Sequence, residues 1–284
     1  MPTSADRLAI RKTYKLFIGG AYPRSESGRT YEVLDHKDGF LANAALASRK
    51  DARDAVVAAR AAQPGWAAAT AYNRGQVLYR IAEMMEGRRA QFVEEVSLAE
   101  GGRKAEDQVD AAIDRWVWYA GWSDKIAQVL GSTNPVAGPY FDFTIPEPTG
   151  VAAVIAPQDS SLLGLVSVIA PAVVSGNSVI VLASEKRPLP AITLAEVIGT
   201  SDLPGGVINI LTGKVDEIAP WLASHMDVNA IDITGATDHT ALQVAAADNL
   251  KRVFLRPEDW TRAPDLERIR AFLESKTVWH PIGI

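Results

Sequence analysis

The second half of the chain alternates short apolar runs with helical stretches. Five runs dominated by Val, Ile and Leu occur at residues 151–155, 178–182, 207–211, 230–234 and 252–255. Runs of this kind, without polar alternation, are typical of strands buried on both faces of a parallel sheet. Four helical stretches separate them, at residues 162–175, 191–198, 216–224 and 237–250. The pattern predicts an α/β fold with a Rossmann-like, parallel five-stranded sheet and right-handed helical crossovers.

Four other segments have the apolar pattern of strands that lie outside this sheet. Residues 14–18 and 30–34 predict a short N-terminal strand pair. Residues 135–145 and 276–280 predict extended strands that belong neither to this pair nor to the parallel sheet.

The segment between the strand pair and residue 130 predicts helices. Ser48 and Asp51 have the spacing of a capping box that begins the first helix, and Pro64 followed by glycine is expected to end it. A second helix is expected at residues 72–85, and a third begins after Gly101 and its neighbouring glycine.

Composition narrows the classes of function. The 284 residues include 29 Lys and Arg against 34 Asp and Glu, and the net charge of −5 argues against a nucleic-acid partner. The chain has no cysteine, which excludes disulfides, thiolate metal sites and a cysteine nucleophile. No apolar run is long enough to span a membrane, and the start of the chain, with Asp6, does not have the pattern of a secretory signal. A cytoplasmic location is therefore expected.

Ligands of open parallel sheets bind beyond the carboxyl ends of the strands. One turn of interest there is Thr234-Gly235-Ala236-Thr237, between a predicted strand and a helix N-terminus, where free amides could receive a phosphate. The alternative, which we favour, is a tight turn that needs glycine for backbone reasons. The phosphate-binding fingerprint G-x-G-x-x-G is missing. The four histidines are too dispersed for a metal-ligand cluster, so no metal site is expected.

Several segments together resemble the aldehyde dehydrogenase family, and the resemblance covers nearly the whole chain. The segments that carry it are Tyr119-Ala120-Gly121-Trp122-Ser123-Asp124-Lys125-Ile126, Pro148-Thr149-Gly150-Val151, Val154-Ile155-Ala156-Pro157, Gly176-Asn177, Ser184-Glu185, Leu203-Pro204-Gly205-Gly206-Val207 and Thr212-Gly213. Any one of them is a weak signal, but in this order they are specific.

The resemblance implies a nucleotide site that is only partly retained. The family has Lys-Pro-Ser-Glu after its second nucleotide-domain strand, with the Lys and Glu reaching the adenosine ribose. This chain has Leu182-Ala183-Ser184-Glu185 there, so the cation is lost. Ser184, Glu185 and Gly235 are the remaining, vestigial cofactor-binding positions, and NAD(P) binding is expected to be weak or lost.

Three further departures fall on positions that the family uses for chemistry. Asp159 stands where a family Asn stabilises the substrate oxyanion, and a carboxylate would repel that charge. Ala236 lacks the hydroxyl that the family places near the pyrophosphate. Arg256 matches the general-base Glu and cannot accept a proton at neutral pH. No catalytic residue is therefore expected.

The resemblance also implies a shortened member. After residue 256 the family continues through a catalytic domain with its nucleophilic cysteine, whereas residues 272–278 already resemble the family's C-terminal helix and final strand. We therefore expect a coenzyme-binding-like domain at residues 1–133 and 147–265, an oligomerisation arm at residues 134–146 and 266–284, and no catalytic domain. The ending is similar to the degenerate second module of two-module aldehyde dehydrogenases.

Two functions follow as hypotheses. The first is a catalytically inactive homologue that acts as a structural or regulatory subunit through its arm, in a homodimer or in a hetero-oligomer with a full-length aldehyde dehydrogenase. The second is an NAD(P)-binding subunit whose catalytic cysteine comes from a partner chain.

Overall fold

The structure is a computed structural model that describes residues 12–283. The N-terminal segment 1–11, where no signal sequence was expected, and residue 284, the end of the predicted arm, lie outside the described residues. The strands are β1 (Thr30–Leu34), β2 (Phe40–Ala45), β3 (Ser132–Asn134), β4 (Tyr140–Pro148), β5 (Val151–Ile155), β6 (Ser178–Leu182), β7 (Ile208–Leu211), β8 (Ala230–Asp232), β9 (Arg252–Phe254) and β10 (Leu273–Pro281). The helices are α1 (Arg49–Ala68), α2 (Ala71–Glu86), α3 (Arg89–Glu100), α4 (Ala105–Ala120), α5 (Ile126–Leu130), α6 (Leu163–Val174), α7 (Leu189–Ile198), α8 (Val215–Ser224), α9 (His239–Ala247) and α10 (Glu267–Ala271).

The predicted Rossmann-like sheet is confirmed. Its strand order is β7-β6-β5-β8-β9, and every pair is parallel. Strands β5, β6, β7 and β8 consist entirely of buried residues, as their unbroken apolar runs predicted. The same expectation was wrong for β9, an edge strand whose residues are exposed or half-buried. The other edge strand, β7, is buried, and Phe17 exchanges backbone hydrogen bonds with Ile210 there.

The N-terminal strand pair differs from the prediction. β1 pairs with β2, which was not predicted, in an antiparallel hairpin. Residues 14–18 form only isolated bridges, from Tyr14 to Ala44, from Phe17 to Ile210 and from Ile18 to Ala21. The apolar side chains of this segment serve to anchor it: Phe17 is 2% exposed and exchanges backbone hydrogen bonds with Ile210 of β7.

The two extended segments form a separate sheet, as predicted. β4 lies between β10 and β3, and both pairs are antiparallel. The β10–β4 register runs without interruption from Leu273 opposite Pro148 to Pro281 opposite Tyr140. Residues 272–278 are therefore not the end of a helix followed by a strand. Helix α10 ends before them, and β10 begins at Leu273.

The helix predictions need correction at α1, α3, α5 and α9. The capping box of Ser48 and Asp51 is present, but α1 continues past Pro64 to Ala68. The reason is tertiary: Trp66, 2% exposed, donates its indole N–H to the carbonyl oxygen of Val173, which holds the last turn against α6. Helices α3 and α5 were not predicted, and α9 begins two residues later than predicted because the side chain of Asp238 caps it.

Asn177 joins the parallel sheet to the smaller sheet. Its side chain is fully buried, and its Oδ1 accepts from the N–H of Gly150 at 2.7 Å. Its Nδ2 donates to the carbonyl oxygens of Ala172 and Phe272 and to Ser175 Oγ. One amide therefore satisfies groups at the start of β5, at the end of α6 and immediately before β10.

We expect Asn177→Ala to lower the free energy of unfolding by about 2–4 kcal/mol, because several buried polar groups lose their partner at once. Urea unfolding followed by circular dichroism measures this change. Asn73→Ala, at an exposed position in α2, is the matched control and should shift stability by less than about 0.5 kcal/mol. Equal stability of the two variants would show that Asn177 does not have this role.

Candidate functional site

The candidate site is the carboxyl edge of the five-stranded sheet. From β5 the chain winds first to β6 and β7 on one side, and then to β8 and β9 on the other. In an open parallel sheet such a reversal leaves a crevice beyond the strands in which ligands bind. The turns after β5, β6 and β8 therefore carry the residues that could contact a ligand.

Ser184 and Glu185 follow β6, and both are bonded to the turn after β5. The Ser184 hydroxyl, in a residue 3% exposed, donates to the carbonyl oxygen of Gln158 at 3.1 Å. The backbone N–H of Glu185 donates to Gln158 Oε1 at 2.9 Å, and Gln158 Nε2 donates to the carbonyl oxygen of Ala156 at 2.7 Å. The two turns form one hydrogen-bonded unit, so Ser184 points into the protein's own structure.

The carboxylate of Glu185 is held within the chain. Lys214 Nζ donates to its Oε1 at 2.6 Å, and the N–H of Val215, the first residue of α8, donates to its Oε2 at 3.3 Å. The hydrogen bond to Glu185 raises the pKa of Lys214. A carboxylate at a helix N-terminus is also favoured by the helix dipole. The Glu185 carboxylate, which the resemblance assigns to contact with the ribose, is therefore already bound in an ion pair within the chain.

Gly235 lies against the end of β5. A Cβ atom at this position would be 1.9 Å from the carbonyl oxygen of Ala156, so no other residue fits without moving the backbone. The N–H of Gly235 donates to Ile155 and that of Ala236 donates to Ile233. The close approach supports the backbone explanation of this glycine, and these two amides are not free for a phosphate.

The residues that depart from the family pattern differ in burial. Leu182 is fully buried in the sheet, so its side chain does not reach the crevice. Asp159 is exposed, and its carbonyl oxygen accepts from Arg187 at 2.5 Å. Ala236 lines a cleft of about 180 Å³ between α8 and α9.

Glu100, at the end of α3, occupies the turn before α6. Its Oε1 accepts from both the N–H and the hydroxyl of Ser161, each at 2.6 Å. The N–H of Gly164 in the first turn of α6 donates to Ser160 Oγ at 2.9 Å. The N–H groups of Ser161 and Gly164 therefore have hydrogen-bond acceptors in side chains of the same chain.

Arg268 is the centre of a buried charge cluster next to the crevice. The residue is 2% exposed, and its guanidinium donates to the carboxylates of Asp232 and Glu258 and to the carbonyl oxygen of Arg256. It also lies over the ring of Phe254, 4.8 Å from the centroid. Complete burial raises the pKa of the Asp232 carboxyl, and the charge of Arg268 opposes that shift. The cluster connects β8, β9 and α10.

A second arginine holds the segment between β9 and α10. Arg115 of α4 is 7% exposed and donates to the carbonyl oxygens of Trp260 and Arg262, at 3.0 and 2.6 Å, and to Ser167 Oγ in α6. Arg256, the counterpart of the family's general base, forms ion pairs with Asp265 and Glu267 at 2.8 and 2.6 Å. Residues 256–268 are therefore held by the ion pairs of Arg256 and Arg268 at their two ends and by the hydrogen bonds of Arg115 between them.

Sequence reasoning missed Glu100, Arg115 and Arg268. One signal could have indicated the last of them: Asp232 stands inside an apolar run predicted to be buried, and a buried carboxylate requires a cation or several donors. Nothing in the local pattern identified which arginine would supply the charge.

Two classes of site do not occur in the described part of the chain. Within residues 12–283, no group of three or more His, Asp or Glu side chains is arranged to hold a metal ion. In the same range, no helix is both long and apolar enough to cross a membrane.

The order of the strands and the position of the crevice define a doubly wound α/β protein with a Rossmann-like sheet. The profile of the aldehyde dehydrogenase family matches residues 22–256, which is most of the chain. The chain therefore belongs to the aldehyde dehydrogenase family.

Individual relatives are about twice as long as this chain. Retinal dehydrogenase 2 of Homo sapiens is 36% identical over 265 residues, which are 90% of this chain and 50% of the relative. The solved structure of HpcC from Thermus thermophilus is 31% identical with a TM-score of 0.81, over 85% of this chain and 47% of that one. An NAD+ complex of an aldehyde dehydrogenase from Bacillus cereus is 25% identical with a TM-score of 0.79, over 86% and 50% of the two chains.

We expect Arg268→Met to lower the free energy of unfolding by about 3–5 kcal/mol, because it leaves the buried Asp232 carboxylate without its cation. Arg270→Met, at an exposed position in the same helix, is the control and should change stability by less than about 0.5 kcal/mol. Thermal and urea unfolding measure both.

The double variant Asp232→Asn/Arg268→Met removes both charges and should recover part of the loss, because the uncompensated carboxylate is gone. A double variant that is less stable than Arg268→Met would contradict this role of the ion pair.

Proposed function

We propose that this chain is a catalytically inactive aldehyde dehydrogenase homologue that acts as a structural or regulatory subunit. It associates through an oligomerisation arm formed by residues 134–146 and 266–284, as a homodimer or with a full-length aldehyde dehydrogenase. The remainder, residues 1–133 and 147–265, is a coenzyme-binding-like domain. The proposal includes a cytoplasmic location and no nucleic-acid partner.

The observation that carries the proposal is the internal bonding of the crevice. Glu185 is paired with Lys214, Gly235 is packed on Ala156, and Arg256 is bound to Asp265 and Glu267. A ligand or a reacting group would have to displace these contacts, and each of these partly exposed ion pairs contributes about 0.2–1 kcal/mol. The absence of cysteine removes the thiol that the family's chemistry requires.

The smaller sheet supports the associating role. Its longest strands, β4 and β10, are fully paired over nine residues, and several large apolar side chains remain exposed on them. Tyr140, Phe141 and Trp279 are 42, 49 and 58% exposed. Within residues 12–283, no strand covers the outer edge of β10. Exposed aromatic groups next to such an edge suit association by strand addition, in which main-chain hydrogen bonds supply much of the affinity.

The catalytic part of the proposal is tested with the purified chain, short aldehydes and NAD or NADP. We expect no formation of NADH or NADPH above the buffer rate, because the chain has no thiol and has Arg256 at the position of the family's general base. A full-length aldehyde dehydrogenase is the positive control. Turnover by the chain alone would overturn the proposal.

An alternative is an NAD(P)-binding subunit that is completed by a partner's cysteine, with Ser184, Glu185 and Gly235 as vestigial contacts. A second cleft of about 380 Å³ favours it, since Glu185, Lys214 and Arg187 line its wall together with Tyr31. The buried hydroxyl of Tyr31 has no hydrogen-bond partner there. The NAD+ complex of the Bacillus cereus relative adds support from the family.

Calorimetric titration with NAD and NADP separates the two proposals. The inactive-subunit proposal predicts no heat at millimolar nucleotide. The alternative predicts binding that Glu185→Gln weakens and that Glu217→Gln, an exposed α8 control, leaves unchanged.

The associating role is tested by co-expression with a full-length aldehyde dehydrogenase from the same source. We expect the two chains to co-purify and the enzyme's thermal stability or activity to change in the complex. An enzyme that never co-purifies and is unaffected by added chain would contradict the subunit role.

A further inference from the structure

Residues 14–18 join the N-terminal hairpin to the outer edge of the parallel sheet. The N–H of Ala45 in β2 donates to the carbonyl oxygen of Tyr14 at 2.9 Å. Phe17 and Ile210 of β7 exchange backbone hydrogen bonds at 2.9 and 2.7 Å. In the described part of the chain no strand lies beside β7 on this side, so the segment is the cover of an otherwise open edge.

The beginning of this segment lies against the carboxyl of Glu95 in α3. Glu95 Oε1 accepts from the hydroxyl of Thr193 in α7 at 2.8 Å and from Gln91 Nε2 at 3.3 Å. The hydroxyl of Tyr14 lies 3.5 Å from the same oxygen, at the limit of a hydrogen bond. Glu95 Oε2 is buried and has no hydrogen-bond partner within residues 12–283. A negative charge on this carboxyl would therefore be buried with a donor at only one of its two oxygens.

The charged groups around this carboxyl come from three parts of the chain. Lys12, in the N-terminal segment, forms an ion pair with Glu196 of α7 at 2.6 Å. Arg88, immediately before α3, forms an ion pair with the other oxygen of Glu196 at 2.8 Å. Glu94, the neighbour of Glu95 in α3, is exposed. Both cations are thus bound to Glu196, and among the described residues Glu95 has no ion pair of its own.

These surroundings favour the neutral, protonated carboxyl. Burial raises the pKa of Glu95. The hydrogen bond from Thr193 and the charge of Lys12 oppose this shift, and the charge of Glu196 adds to it. Burial, followed by the charge of Glu95, also raises the pKa of the Tyr14 hydroxyl, which therefore stays protonated and can only donate. None of the surrounding groups is a histidine, so Glu95 is the group here whose charge changes above the usual range of carboxyls.

We propose that the protonation of Glu95 controls whether residues 12–18 stay on the edge of β7. With the proton bound, the neutral carboxyl remains buried beside Tyr14, and the segment covers the edge. When the proton leaves, opening of the segment hydrates the charged carboxyl and separates Phe17 from Ile210. This device does not depend on whether the chain binds a partner subunit or a nucleotide.

The direction of the pH dependence follows from proton binding. The covered state holds the proton of Glu95 more tightly than the open state, in which the carboxyl is exposed and has its ordinary pKa. Covering is therefore fully favoured below the ordinary pKa, and it weakens as the pH rises through the raised pKa of the covered state. Between these two values, the open fraction can increase by at most about tenfold per pH unit.

Hydrogen exchange of the Phe17 amide measures this opening, because its N–H donates to the carbonyl oxygen of Ile210. After correction for the intrinsic exchange rate, we expect its protection to fall at least about threefold between about pH 5 and about pH 8. The buried amides of β5 should keep their protection over the same range, because the opening is local.

Glu95→Gln replaces the carboxyl with a neutral amide of the same size. We expect the Phe17 amide of this variant to keep, at about pH 8, the protection that the wild type has at about pH 5. Glu94→Gln is the matched control, because it removes the same charge from the exposed neighbouring position of α3 and should leave the pH dependence unchanged. Circular dichroism verifies that both variants are folded.

Thr193→Val tests the same device without changing the carboxyl. It removes a hydrogen bond that lowers the pKa of Glu95, so the fall in protection should move to higher pH. A wild-type protection of Phe17 that does not change with pH, or a fall that Glu95→Gln retains, would overturn the inference. So would a fall shared by the β5 amides, a pH dependence abolished by Glu94→Gln, or a midpoint that Thr193→Val leaves in place or lowers.

Discussion

The buried ion pair between Arg268 and Asp232 is the interaction on which the packing of α10 against the parallel sheet depends. Asp232 lies at the end of β8 with no exposed surface, so its charge must be compensated inside the protein. Arg268 comes from α10, 36 residues later. The pairing holds α10 against the sheet, and β10 begins two residues after the end of α10. Removing the cation would therefore affect both sheets.

Polar groups around the crevice are also paired with other groups of the same chain. Glu185 accepts a hydrogen bond from Lys214, and Glu100 accepts one from Ser161. Carbonyl groups of the segment after β9 accept from Arg115. Each polar group with an internal partner stabilises the shorter chain and makes an incoming ligand less favourable, because the ligand must compete with it.

Local sequence patterns predicted the elements whose burial is uniform. The strands β5 to β8 were recognised because a short run of Val, Ile and Leu without alternation, bounded by turn residues, is typical of a buried strand. The capping box at Ser48 was also recognised, since both of its side chains are close in sequence. The patterns failed where a distant contact decides the outcome: α1 passes Pro64 because Trp66 is bound to Val173, and residues 14–18 are held by Ile210 of β7.

The sequence by itself determined the family, the parallel sheet, the missing thiol and the positions at which Asp159, Ala236 and Arg256 depart from the family pattern. Only the tertiary structure decided what those positions and their neighbours do instead. Ion pairs such as Arg268 with Asp232 join residues that are far apart in sequence, and any of several arginines could have supplied the charge. The position of β10 at an edge of the smaller sheet, as seen within residues 12–283, was likewise invisible in sequence, because the neighbours of a strand depend on the order of strands in the sheet and not on the strand itself.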